Sequence, residues 1–336
     1  MNISNVKVPS IYAKLKGMYA RKIKSPQKEE LLKQTSTAQV VALLKSFDPQ
    51  FKELEQNPER SNIEILLDNI LIEEIQKIIR MLNKKDKEVF LQFLSIYEIK
   101  CIKSVFRKLL ANSTLQDETG EVKNWTSKIF IHLVGLEKVT DYESLCNLLR
   151  KTRYYNIFAN YAVSQDLPIF EIENSLDRTY FKNMMKYAKN YNKNLEDKIG
   201  KQIDLNNVIW IYRIKKYYCF SKEKIRASLI DLCYRLKKSE LEALVQSQTT
   251  NEMIEILKKT YYAKYIDFNE LESLKDKIEQ YEYHQDKKIW GGSIFDISMI
   301  YSYLDMIEKE NNDILNIVEG IRYHLNYEEI QKKLVY

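Results

Sequence analysis

Glycine and proline are scarce in this chain, with 7 Gly and 5 Pro among 336 residues. Average usage is about 7% and 5%. A protein of many strands needs tight turns at short intervals, and those turns draw on both residues. Their scarcity predicts an all-α fold. Long hydrophobic runs are also missing. A stretch such as VIWIY at 208–212 falls far short of the roughly 18 apolar residues that mark a membrane-spanning helix. No basic, apolar and small-residue leader opens the sequence, so export by the usual signal is not expected. The four cysteines, Cys101, Cys146, Cys219 and Cys233, share no CxxC spacing and lie in helical patterns. Reduced, buried thiols in a cytosolic protein are the simplest reading of that spacing.

The motifs of common chemistry are missing too. Neither GxxxxGK[ST] nor GxGxxG occurs, so no backbone cradle for nucleotide phosphates can be pointed to. His132, His284 and His324 lie far apart, without an HExxH pair or cysteine partners at zinc-ligand spacing, and read as structural histidines. No GxSxG is found, and no cysteine is marked as a nucleophile beside a histidine. No catalytic group, metal or cofactor is expected. The charge is nearly balanced, 53 Lys and Arg against 47 Asp and Glu, for a net +6. That allows a nucleic-acid partner without pointing to one.

What the sequence does have is a repeat. The segment QIDLNNVIWIYRIKKYY at 202–218 places Leu205, Val208, Ile209 and Tyr212 on one helical stripe, with Asp204 and Arg213 at its edges. Related segments begin 106 residues earlier at Glu98, EIKCIKSVFR, and 106 residues later at Glu310, ENNDILNIVE. Each opens with an acid and repeats β-branched residues at the fourth and seventh positions after it. A second landmark, a leucine followed by a basic residue, recurs in ALLKSF, NLLRKTRYY and EILKKTYY at Leu44, Leu149 and Leu257. From each leucine to the next leading acid the separations are 54, 55 and 53 residues. A period near 106 exceeds the 20 to 50 residues of solenoid repeats and suits a small helical bundle.

Turn-forming residues divide the sequence into units at 1–112, 113–219 and 220–336, with 113–125 read as the first dividing loop and CFSKEK as the opening of the third unit. Connections are expected at FDPQ, QNPERSN, QDLP and KKIWGGS, and Ser293 is a candidate helix cap. Basic and aromatic residues interleave in RIKKYY at 213–218 and KTRYYNIFANY at 151–161. Such mixtures either stack bases and hold phosphates or simply bridge a helix's core and rim. Opposite its core stripe the middle copy carries Trp210 and Ile214, where the others carry Lys100, Ser104 and Lys108, or Asn316 and Gly320. The middle helix is thus apolar on two sides, either because it lies inside a larger helical body or because it faces a partner.

With YAKLKGMYARKI at 12–23, KEELL, IDLNNVIWIYRIKKYY, FSKEKI and the closing SIFDISMIYSYLDMIEKENNDILNIVEGIRYHLNYEEI, nearly the whole chain resembles the C subunit of V-type and A-type rotary ATPases, equivalent to the d subunit of vacuolar ATPases. The resemblance implies three related three-helix bundles arranged as a funnel about a pseudo-threefold axis. It also implies a non-catalytic rotor part, peripheral on the cytoplasmic side of the membrane. There it would join the central-stalk subunits to the proteolipid ring and bind no nucleic acid or small-molecule substrate. The family's acid–apolar–x–Asn pattern is kept at Asp204 to Asn207, while Cys101 and Asp313 stand in place of the asparagine. On this reading Glu98, Arg107, Asp204, Arg213 and Glu310 are candidates for the rim or wall of a central cavity. Trp210 and Ile214 are either its apolar anchors or core fillers. The alternative is a helical nucleic-acid-binding protein or another helical scaffold.

Overall fold

The computed structural model describes residues 4–111, 118–161, 168–218, 220–292 and 297–335. In chain order the helices are α1 (Ser4–Tyr19), α2 (Ser25–Leu32), α3 (Thr37–Phe47), α4 (Arg60–Met81), α5 (Lys84–Leu110), α6 (Glu118–Lys128), α7 (Tyr142–Leu149) and α8 (Tyr155–Ala159). They continue as α9 (Ile169–Tyr191), α10 (Lys193–Tyr217), α11 (Lys222–Ser228), α12 (Lys238–Gln246), α13 (Thr250–Leu257), α14 (Leu274–Gly291), α15 (Ser298–Arg322) and α16 (Tyr327–Gln331). No strand occurs among the described residues, and the fold is all-α as the scarcity of glycine and proline predicts.

Local chemistry sets many of the starts. Ser36, Asn83, Asp141, Asn192, Ser221, Thr249 and Asn326 each accept a hydrogen bond from the backbone N–H three residues on, at the first turns of α3, α5, α7, α10, α11, α13 and α16. Such caps satisfy one of the donors that a helix leaves open, each contributing about 1 kcal/mol. Three boundaries differ from expectation. Residues 118–125 are helical in α6, Arg60 to Asn62 of QNPERSN open α4, and Lys287 to Gly291 complete α14 with Gly292 as its cap. In each case helical hydrogen bonding outweighs the local turn propensity. Ser293 and Cys219 lie outside the described residues.

The chain packs into two compact units, Met1–Leu167 with Tyr303–Tyr336, and Pro168–Ser302. The three repeats divide the sequence by similarity, whereas these units divide the chain by contact. In the first unit, Leu31, Val40, Val41 and Leu44 from near one end of the chain share a core with Ile314, Ile317, Val318, Ile330 and Leu334 from near the other. A second part of the same unit is aromatic. Trp125 stacks between Tyr97 and Phe130, with ring centroids 4.7 and 5.9 Å apart. In the second unit, Val208, Ile211, Ile214, Leu244, Met253, Leu257, Phe268 and Ile278 form one core from α10 to α14.

Of the cysteines, Cys101 and Cys146 are buried but Cys233 is exposed, which corrects the expectation of a buried thiol there. It lies in the irregular segment between α11 and α12 rather than on a packed helix.

Candidate functional site

The three leading acids fall on long helices, α5, α10 and α15, and all three are buried. An unpaired carboxylate inside a protein is expensive, so each must be met by donors. Asp204 meets four: the backbone N–H groups of Tyr234, Arg235 and Leu236 at 2.9, 2.6 and 2.8 Å, and the Tyr262 hydroxyl at 2.7 Å. Burial raises its pKa above the ordinary value, and these donors oppose the rise. Burial by the same surroundings, with the Asp204 charge beside it, pushes the Tyr262 hydroxyl up strongly.

Glu98 accepts a short bond from the Tyr154 hydroxyl, and His132 Nε2 lies 2.5 Å from its other oxygen. Arg153 approaches at 3.4 Å. Burial works to raise the Glu98 pKa, but the bonds from His132 and Tyr154 and the Arg153 charge bring it below the ordinary value. Glu310 accepts from the Tyr19 hydroxyl at 3.0 Å.

These bonds explain the second landmark. Tyr154 and Tyr262 each stand five residues after the repeated leucines, Leu149 and Leu257, and each reaches back to the acid that precedes it. The third copy has Pro49 at that position, and the hydroxyl comes from Tyr19 instead. Leucine and acid therefore pair in the order acid first. Leu44 pairs across the chain's length with the α15 stripe, where it shares a core with Ile314 and Ile317. The sequence spacing of 54, 55 and 53 residues records the period but joins each leucine to the wrong acid. A periodic pattern carries no information about phase.

The position three after the acid behaves likewise in the second and third copies. Asn207 accepts from the N–H of Ile230 at 2.9 Å and donates to its carbonyl at 3.0 Å, clamping the segment after α11. Asp313 accepts from the N–H of Val335 at 3.0 Å, the same kind of bond at the chain's far end. Aspartate has no amide to donate and adds a charge, and Lys28 meets that charge at 2.8 Å. Burial still raises the Asp313 pKa, with Lys28 opposing.

The remaining candidates separate clearly. Arg107 and Arg213 are exposed, and Trp210 is half-buried against the core of the second unit. Ile214 is fully buried in that core with Ile225 and Leu229, so the second apolar side of the middle helix is covered there by the unit's own residues. In the third copy the corresponding Gly320 leaves room for Ile330 of α16, which a Cβ there would strike. Asp204 lies inside the core, not at its edge, because the irregular segment before α12 folds over it. Sequence reasoning missed Lys28, Tyr19, Tyr154 and Tyr262 as partners of the acids. Carrying the period across both termini is the signal that would have found them.

A cleft of about 240 Å³ in the first unit is lined in part by Asp68, Tyr97, Lys100, Trp125 and Glu308. These polar groups bond one another: Tyr97 and Lys100 donate to Glu308, and Trp125 Nε1 donates to Asp68 at 3.1 Å. Among the described residues no group of His, Cys, Asp and Glu is arranged to hold a metal ion, and no helix is long and apolar enough to cross a membrane. The described residues make an all-helical protein in which buried acids anchor loops.

The chain belongs to the family described as ATP synthase (C/AC39) subunit, which matches residues 11–333. It is similar to the C subunit of the A-type ATP synthase of Methanosarcina mazei, 23% identical over 272 residues covering 77% of this chain and 73% of that one. The corresponding proteins of Methanosarcina barkeri, 22% identical over 77% of this chain and 73% of that one, and Methanococcoides burtonii, 23% identical over 73% and 70%, are similar as well.

Proposed function

We propose that this chain is a non-catalytic rotor subunit of a V/A-type ATPase, built from three related helical bundles. It acts as a socket that couples the central stalk to the membrane proteolipid ring. The observation that carries the reading is the family match along residues 11–333, together with the use of the buried acids. Glu98, Asp204, Glu310 and Asp313 are each hydrogen-bonded from within the chain and serve to fix loops and termini. A body of that kind transmits load through its shape. Arg107, Arg213 and Trp210 are the candidates left to meet a partner, and Ile214 serves the core. Half-buried aromatics usually carry more binding energy than exposed charges, which contribute about 0 to 1 kcal/mol per pair.

Affinity purification of the tagged chain from detergent-solubilised membranes tests this. The expected companions are stalk subunits and the proteolipid. Recovery of the chain alone, or with nucleic acid in place of these proteins, would overturn it.

A further inference from the structure

The segment 129–139, between α6 and α7, is anchored from below by His132 on the buried carboxylate of Glu98. Two aliphatic side chains on it point outward: Ile131 is 70% exposed and Val134 57%. The segment of the middle copy that Asp204 holds exposes Asp231, Cys233 and Arg235 and keeps Leu229, Ile230 and Leu236 buried, and the period of 106 puts Lys237 and Glu240 where Ile131 and Val134 stand. Exposed aliphatics on this segment are therefore not a requirement of the repeat.

Cations flank the pair along the chain. Lys128 ends α6 three residues before Ile131, and Lys138 follows Val134. Arg153 reaches the same Glu98 carboxylate as His132, and Arg150 and Lys151 precede it in the turn after α7. Lys128, Lys138, Arg150 and Lys151 are all exposed, and none forms an ion pair among the described residues. The acids close by in the chain are Glu137, half-buried with one oxygen enclosed, and the exposed Asp141 and Glu143 at the start of α7.

We propose that this end of the first unit is a membrane-contact surface that binds anionic lipid headgroups, with Ile131 and Val134 entering the interfacial layer. Two features select a bilayer over an acidic protein. The aliphatic side chains stand out from the surface, whereas a protein partner would need a matching groove. Exposed cations outside any ion pair flank them along the chain at Lys128 and Lys138, and an anionic headgroup layer complements such charges beside an inserted aliphatic pair. The proposal stands apart from the coupling role, because it concerns lipid and not the proteolipid or the stalk.

The test is co-sedimentation of the purified full chain with protein-free vesicles of phosphatidylglycerol and phosphatidylcholine, against phosphatidylcholine alone. Binding is expected only to the anionic vesicles and falls as salt is raised. Neutralising Lys128, Arg150 or Lys151 to Gln lowers the partition coefficient about fivefold per charge. Ile131→Ser with Val134→Ser weakens binding further at unchanged net charge. All these positions are exposed, so the variants keep the parent's circular dichroism and melting. Lys237→Gln, in the second unit, removes one charge elsewhere and leaves binding unchanged. The proposal is overturned if anionic vesicles do not bind, or if Lys237→Gln weakens binding as much as Lys151→Gln. It is equally overturned if the aliphatic variants bind like the parent, or if the basic variants lose retention on single-stranded RNA while vesicle binding is unaffected.

Discussion

Replacing Lys28 by Met should be among the most damaging single changes in the chain, and a second change should repair it. The Lys28 and Asp313 side chains are 2% and 1% exposed and lie 2.8 Å apart. Removing one member of such a pair leaves a buried charge without its counter-ion, a loss of about 3 to 5 kcal/mol. The middle copy shows how the same position works without an ion pair, since Asn207 makes its backbone bonds as a neutral amide. Lys28→Met with Asp313→Asn converts the third arrangement into the second. The amide oxygen can still accept from Val335, and neither member of the pair leaves an unmatched charge, so the double variant should recover most of the loss. pH gives an independent check. Burial already raises the Asp313 pKa in the parent, and without Lys28 it rises further. A carboxyl whose folded pKa exceeds its unfolded value is better tolerated when protonated. The deficit of Lys28→Met should therefore shrink as pH falls through that raised value, while the double variant shows no such dependence. Urea unfolding followed by circular dichroism measures the loss, and hydrogen exchange across α2 and α3 localises it to the first unit. A single-variant loss under about 1 kcal/mol, or a double variant no better than the single, would refute the reasoning.

Glu98 should behave in the opposite sense. Its folded pKa lies below the ordinary value, so its contribution is full above the unfolded pKa of about 4.3 and disappears as pH falls through the lower, folded one. Glu98→Gln should flatten the acid limb of the stability profile in that window, and an unchanged limb would count against the His132 and Tyr154 contacts. Tyr262→Phe removes one of the four donors to Asp204 and should cost about 1.5 to 3 kcal/mol by thermal or urea unfolding. Gly200→Ala should cost about 1 to 3 kcal/mol, because a Cβ there runs into the Tyr234 ring, whereas Gly17→Ala, with open space around it, should be neutral or slightly stabilising. Trp210→Ala should lower stability by less than the roughly 3 to 5 kcal/mol of a fully buried tryptophan and weaken stalk or ring binding; normal assembly would remove it from the interface.

The sequence by itself determined the helical class, the period near 106 and the three acids at its nodes. Scarcity of turn residues, hydrophobic spacing and capping residues act over a few positions, so they can be read without coordinates. Only the tertiary structure decided what the acids do. Asp204 is legible as an acid at the edge of a stripe, but that its donors are Tyr234, Arg235, Leu236 and Tyr262 depends on how a segment some thirty residues on folds back. Trp210 and Ile214 look alike on the helix, yet one stays half-exposed and the other disappears beneath Ile225 and Leu229. The pairing of Lys28 with Asp313 joins residues 285 apart. Local preferences are set by neighbours along the chain, whereas burial and charge pairing are set by neighbours in space, and a repeat gives its spacing without saying which copies meet.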